Sequence, residues 1–190
     1  MPRELALRKR RRNFTRRSAI LIELRRHAHH INGELAPKGI AHAIVVGREQ
    51  MRGKGYTHFA ISHQPRTSGT LQAFAEGASD FPLIRQCHEL DALDTKCMGA
   101  WRAYFAKYDQ NLVPENELVR EEAARMTLEF LHELGHLGLN VHLLGVGHSP
   151  FIECLVYGLT STVIAPLEEC HGVILSSTAS GLIVTSEFRL

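Results

Sequence analysis

The stretch HELGHLGLNVH (His132–His142) spaces its histidines as a zinc site would. His132 and His136, four apart, would share one helix face, with Glu133 placed to activate a metal-bound water and His142 six residues further on. The surroundings argue against a zinc peptidase. Gly135 falls inside the pattern and Gly138 just after it, so a helix should be ending there, and His142 falls in a run that reads as a strand. Histidines at a helix C-terminus suit the helix dipole and need no metal. A second set of residues is scattered along the chain but agrees better with its surroundings. Three apolar runs lead into Arg25-Arg26-His27, into Ser62-His63-Gln64-Pro65-Arg66-Thr67, and into Gly147-His148-Ser149-Pro150. Guanidinium forks match phosphate oxygens, and the N-terminus of a helix favours an anion. Brought together, these residues would make a phosphate site.

Whether they are brought together depends on the elements that carry them. SAILIEL (Ser18–Leu24) reads as a buried parallel strand. Glu34–Met51 reads as a helix with Ile40, Ala43, Ile44 and Gly47 on one face. Thr57–Ser62 is a second strand, Arg66–Gly77 a helix, and Phe81–Cys87 a third strand. Glu115–Leu134 is a long amphipathic helix with Leu118, Ala123, Met126, Phe130 and Leu134 on its apolar face. Asn140–Val146 is a fourth strand. A fourth helix spans Ser149–Leu159, with Ser149 at the N-cap and Pro150 at the first helical position. GVILSST and GLIVTSEF close the chain as an antiparallel pair. Strands alternating with helices predict a single-domain α/β protein, a three-layer α/β/α sandwich on a mainly parallel sheet with an antiparallel edge. Ligands of such sheets bind beyond the carboxyl ends of the strands, where the second set of residues falls.

Those residues carry a resemblance. LRRHAHH…LAPKG resembles the opening motif of the histidine phosphatase superfamily, the phosphoglycerate mutase-like proteins. AISHQPRTSGTLQAFAEG is similar to its Ser-x-x-x-Arg-[Ala/Thr]-x-x-Thr motif, and VHLLGVGHSPFIE to its Gly-His-x-Pro-x-[Leu/Ile]-Glu motif, closest to the small phosphohistidine-phosphatase-like branch. The three motifs stand in the family's order and span about residues 18–160. The resemblance implies a phosphohydrolase without metal or cofactor, with His27 as the nucleophile that becomes phosphorylated. Arg26 and Arg66 would hold the non-bridging oxygens with His148, and Ser149 and the backbone N–H groups after it would add donors. Two features depart from the pattern. Gly33 stands where mutase-like members carry Asn, with Asn32 one place early. The general acid has no clean match among Glu89, Asp91 and Asp94, of which Glu89 is preferred. An ill-defined acid favours labile donors such as phosphohistidine or acyl phosphate over alkyl phosphates. Glu153 matches the last motif, in a structural or a catalytic part. His29, His30 and His63 flank the motifs, as exposed loop residues or as groups tuning substrate entry. Trp101, Tyr104, Phe105 and Tyr108 fall at helical spacing, as core or as a lid.

Composition sets the remaining bounds. The chain has 190 residues and a formal net charge of +2, with 44% hydrophobic residues, an ordinary globular balance. Eight of its 22 Lys and Arg lie in residues 1–17 beside one acid, Glu4, so a basic arm precedes a mildly acidic domain at 18–190. The arm reads as a solvated extension, with a weak anionic partner as the alternative. Cys87, Cys97, Cys154 and Cys170 form no C-x-x-C pair and suit reduced thiols in a cytoplasmic protein. The apolar run Ala19–Leu24 is too short for an export signal or a membrane span. The expected substrate is a phosphorylated small molecule or a phosphoprotein. A catalytically idle binder of phosphorylated ligands on the same fold is the alternative.

Overall fold

The computed structural model describes residues 20–79, 87–89, 116–138 and 140–189. The basic arm, residues 81–86 of the expected third strand, Asp91, Asp94 and the 101–108 aromatic stripe lie outside them. The described elements begin with β1 (Leu21–Arg26), β2 (His30–Ile31), β3 (Glu34–Leu35) and α1 (Pro37–Val46), which a π-helical turn, Gly47–Met51, extends. There follow β4 (His58–Ile61), α2 (Pro65–Ala78), β5 (Cys87–Glu89) and α3 (Glu117–Gly135). The chain closes with β6 (His142–Gly147), α4 (Phe151–Thr160), β7 (Gly172–Thr178) and β8 (Gly181–Phe188).

Six strands form one sheet in the order β5-β4-β6-β1-β7-β8. The first four run parallel, and β7 and β8 add the antiparallel edge. Each central strand is buried on both faces, so alternate side chains serve different cores. Ile22, Leu24 and Leu143 join Val119, Met126 and Phe130 of α3 and Ile152 and Leu155 of α4. Phe59, Ile61, Leu144 and Val146 join Ala43 and Val46 of α1 and Leu71 and Phe74 of α2. The result is the expected three-layer sandwich. No helix among the described residues is long and apolar enough to cross a membrane.

Several expected boundaries move, each for a local reason. The first strand runs on through Arg25 and Arg26 because Arg25, fully buried, is met by Glu23, Gln50 and the Cys170 carbonyl. The expected helix at Glu34 begins at Pro37 instead. Asn32 (φ 53°) and Gly33 (φ 87°) reverse the chain into the β2–β3 hairpin, which takes up Glu34 and Leu35. Ile40 is 41% exposed, while Ala43 and Gly47 hold the inner face. In α3 the Asn116 side chain accepts the Val119 N–H, a phase that buries Val119 and leaves Leu118 exposed. Helices α1 and α2 touch backbone to backbone: a Cβ on Gly77 would sit 1.9 Å from the Ile44 carbonyl oxygen.

Candidate active site

β1 and β6 are neighbours in parallel register, Arg26 opposite Gly147, so their carboxyl ends finish side by side. The residues after those ends, His27 and His148, therefore become neighbours too. The His27 N–H donates to the Gly147 carbonyl at 3.0 Å, and the two imidazole rings lie 4.8 Å apart, centroid to centroid. Both side chains are buried, at 4% and 5% exposure. On the other flank of β6, β4 ends at Ile61 opposite Val146 and hands the chain through Ser62 to α2, whose first turn carries Arg66.

His27 is held in one tautomer. Its Nδ1 lies 2.7 Å from the Ala28 carbonyl oxygen, which can only accept, so Nδ1 carries the proton and Nε2 the lone pair in the neutral ring. Burial, followed by the charges of Arg66 and Arg26 and by His30, pushes its pKa down to about 4, against a hydrogen bond to Ala28 that favours the charged form. A neutral imidazole at neutral pH is a nucleophile or an acceptor. His148 is pushed down to about 3, by burial first and then by Arg66, His27, His30 and Arg26. Both rings thus feel both arginines, so the four residues expected from the sequence share one electrostatic neighbourhood.

The threonines and serine of the second motif acquire physical reasons. Thr70, fully buried, accepts the Ala28 N–H at 3.0 Å and donates to the Arg66 carbonyl at 2.7 Å, tying the turn that carries His27 to the turn that carries Arg66. Ser62 Oγ lies 3.3 Å from His148 Nδ1 and donates to Thr67, whose own hydroxyl reaches the Ser62 and Gln64 carbonyls. Ser62, Thr67 and Thr70 therefore fix His148 and the turn after His27 without needing to touch a ligand.

The remaining expected residues divide. Glu89 ends β5 opposite Ile61, at the same edge of the sheet, and its carboxylate meets His63 Nδ1 at 3.0 Å with both side chains well exposed. His29 is half-exposed and pairs with Glu169 at 2.8 Å. His30 corrects the expectation of an exposed loop residue: the hairpin returns it to the site, where its ring centroid lies 5.0 Å from that of His27. Burial and then Arg66 lower its pKa. Ser149 is not an N-cap. The helix begins at Phe151 with Pro150 in the cap position, and the Ser149 hydroxyl donates to Glu153 at 2.5 Å. The N–H groups of Phe151 and Ile152 donate to the His148 carbonyl, so the helix-terminus donors expected for phosphate are already bonded. Glu153 itself is fully buried, and its Oε1 also accepts the Leu167 N–H at 2.6 Å.

Arg26 alternates with Arg25 across the strand and points to the opposite face of the sheet. Its Nη1 donates to the Leu167 carbonyl at 2.6 Å. It also lines a mixed-charge cavity of about 540 Å³ with Lys38, His42, Glu168, Glu169 and His171. The zinc arrangement does not assemble. His132 and His136 face each other at the end of α3 with Nε2 atoms 3.4 Å apart, while His142 lies in β6 with its ring against Tyr56. Among the described residues no group of three or more His, Cys, Asp or Glu is placed to hold a metal ion.

In sequence, no protein-family pattern and no curated protein matches the chain. In structure, similar proteins are found. A phosphoserine phosphatase from Entamoeba histolytica, in complex with 3-phosphoglyceric acid, superposes with a TM-score of 0.64 at 18% identity, covering 90% of this chain and 98% of that one. A phosphoglycerate mutase from Bacillus anthracis gives 0.61 at 14% identity, over 90% and 93% of the two chains. The protein histidine phosphatase SixA, complexed with tungstate, gives 0.59 at 12% identity, over 88% and 96%. At such identities the likeness establishes the fold: this chain has the phosphoglycerate mutase-like histidine phosphatase fold.

Proposed function

We propose that this chain is a metal-independent phosphohydrolase of the histidine phosphatase superfamily, working through a phosphohistidine at His27. One observation carries the reading: a buried imidazole with Nδ1 fixed on a carbonyl and a bare Nε2, beside a second buried imidazole and within the field of two arginines. That arrangement suits in-line attack on phosphorus. His27 Nε2 forms the new P–N bond as the bond from phosphorus to the leaving atom breaks, an oxygen in a phosphomonoester or an imidazole nitrogen in a phosphohistidine. Arg26, Arg66 and His148 take up the charge on the equatorial oxygens. Water then attacks the phosphohistidine, the P–N bond breaks, and His27 is restored with release of inorganic phosphate. Charge neutralisation by this donor set requires no cation.

Glu89 is the acid in this scheme, giving its proton to the leaving oxygen or nitrogen and later accepting one from water. Its exposed position, hydrogen-bonded to His63 rather than enclosed, suits leaving groups that need little protonation. Phosphohistidine-like or other labile donors therefore fit better than alkyl phosphates, and the likeness to a protein histidine phosphatase agrees with this. The test is hydrolysis of an aryl phosphate followed by alkaline-stable trapping and mass spectrometry. The expected result is a phosphoryl group on His27 and no turnover by His27→Ala. An active protein without phospho-His27 would refute the covalent mechanism, and an inert protein that binds phosphate would favour an idle phospho-ligand binder.

A further inference from the structure

Glu153 has no part in the scheme above, yet it is the most deeply placed acid beside it. It is fully buried on the first turn of α4, and burial pushes its pKa up to about 7 against the opposing effects of Ser149, the Leu167 N–H, its own backbone N–H and Arg26. Oε1 is doubly bonded, by the Ser149 hydroxyl and the Leu167 N–H, whereas Oε2 is buried without a hydrogen-bond partner among the described residues. Arg26 presents the complementary deficit. Its Nη1 is tied to the Leu167 carbonyl, and its Nε is buried without a hydrogen-bond partner among the described residues. Leu167 thus bonds Glu153 through its N–H and Arg26 through its carbonyl, and the two side chains that share it each retain one orphaned polar atom. A buried orphan costs about 1–3 kcal/mol, so two of opposite polarity beside one peptide call for a functional reason.

We propose that Glu153 is a positioning residue for the phosphate pocket, setting through Leu167 and by its own charge how far Arg26 is available to the bound anion. When Glu153 is ionised its free oxygen competes for the Arg26 guanidinium. When it is protonated, Arg26 belongs to the anion. The groups that bear on it come from three sides: Arg26 from β1, the Leu167 N–H from the segment before β7, and the Ser149 hydroxyl from the turn after His148. An anion in the pocket adds negative charge near Glu153 and raises its affinity for a proton, so anion binding takes one up. The sign follows. Anion affinity is highest below about pH 7 and declines as pH rises beyond that value, up to about tenfold for each pH unit by which the anion displaces the Glu153 titration.

The inference rests on the phosphate-pocket reading, and inorganic sulfate, which does not itself titrate in this range, tests the two separately. Above pH 7, where the pocket histidines His27, His30 and His148 are neutral, calorimetric sulfate affinity of the full chain should fall with pH in the wild type and stay flat for Glu153→Gln, which keeps the volume and loses the charge. Ser149→Ala, which removes a bond favouring the ionised form, should move the inflection to higher pH and provides a second route should Glu153→Gln fold poorly. Parallel titration of wild type and Glu153→Gln, or an unmoved inflection in Ser149→Ala, would overturn the positioning role while leaving the pocket intact. Failure of the wild type to bind sulfate at any pH would overturn the pocket, and this role with it.

Discussion

Holding the His27 ring neutral in the folded protein makes stability depend on pH, and the dependence can be isolated by replacing His27 with Gln. In the unfolded chain His27 titrates at its ordinary 6.5. In the folded protein, burial first, then Arg66 and Arg26, push that down to about 4. Between the two values the unfolded chain binds more protons, so the contribution of His27 to stability is complete above about pH 6.5 and is lost as pH falls toward 4. Across that window the loss is about 3 kcal/mol, at 1.36 kcal/mol per pH unit. The Gln variant has no such titration and should gain on the wild type by about that amount between pH 7 and pH 4. His148, pushed down to about 3, and Glu153, pushed up to about 7, titrate in both proteins and largely cancel in the difference. Urea unfolding at several pH values, fitted with a common m-value, measures it. A difference between the two proteins that stays level over this range would refute the reasoning. His27 would then be hydrated in the native state, and a nucleophile held ready by desolvation would no longer be tenable.

Three further outcomes are expected. Thr70→Val leaves the buried Ala28 N–H without its acceptor and should lower stability by about 1–3 kcal/mol. It should also reduce aryl phosphatase kcat at least about tenfold, because His27 loses its tether to the Arg66 turn. Gly77→Ala forces α1 and α2 apart at the Ile44 carbonyl and should lower Tm by an amount equivalent to about 2 kcal/mol or more, whereas Gly135→Ala, whose Cβ would meet nothing within 4 Å, should not destabilise. Glu89→Gln should leave hydrolysis of an aryl phosphate nearly unchanged and slow that of an alkyl phosphate, and equal effects on the two substrates would remove Glu89 from the acid's role.

The sheet was legible because its central strands are buried on both faces and so appear as short apolar runs, and because each of the three motifs falls where such a run ends. That coincidence also made the site legible. His27 and His148 are 121 positions apart in the chain, yet each follows the carboxyl end of a parallel strand, and adjacency of β1 and β6 does the rest. Sequence could not supply that adjacency: strand order depends on which runs pair, and the apolar pattern is the same for any order. Arg25 shows a different limit. It reads as a member of the basic cluster with Arg26, but its partners, Glu23, Gln50 and the Cys170 carbonyl, occupy the other face of the sheet.

Of the two readings of His30, the exposed loop residue fails, and a signal against it is present in the sequence. Asn32-Gly33, flanked by Ile31 and Glu34, is the strongest short-range hairpin signal a sequence can carry, because both central residues of the turn need positive φ. Read so, it folds the chain back within a few residues of the strand end and returns His30 toward His27. Gly33, six residues after His27, is the second central residue of this turn, and the same turn places the His30 ring against that of His27. A histidine in that position adds a neutral donor or acceptor at the rim of the pocket and, when protonated, opposes protonation of His27. The hairpin therefore couples a local turn preference to the titration of His27. The HELGHLGLNVH stretch has the opposite character. Its spacing is compatible with a metal, but its residues lie on elements, the end of α3 and the start of β6, that present them to different neighbours. Residue type and spacing acquire chemical meaning only where the elements that bear them converge.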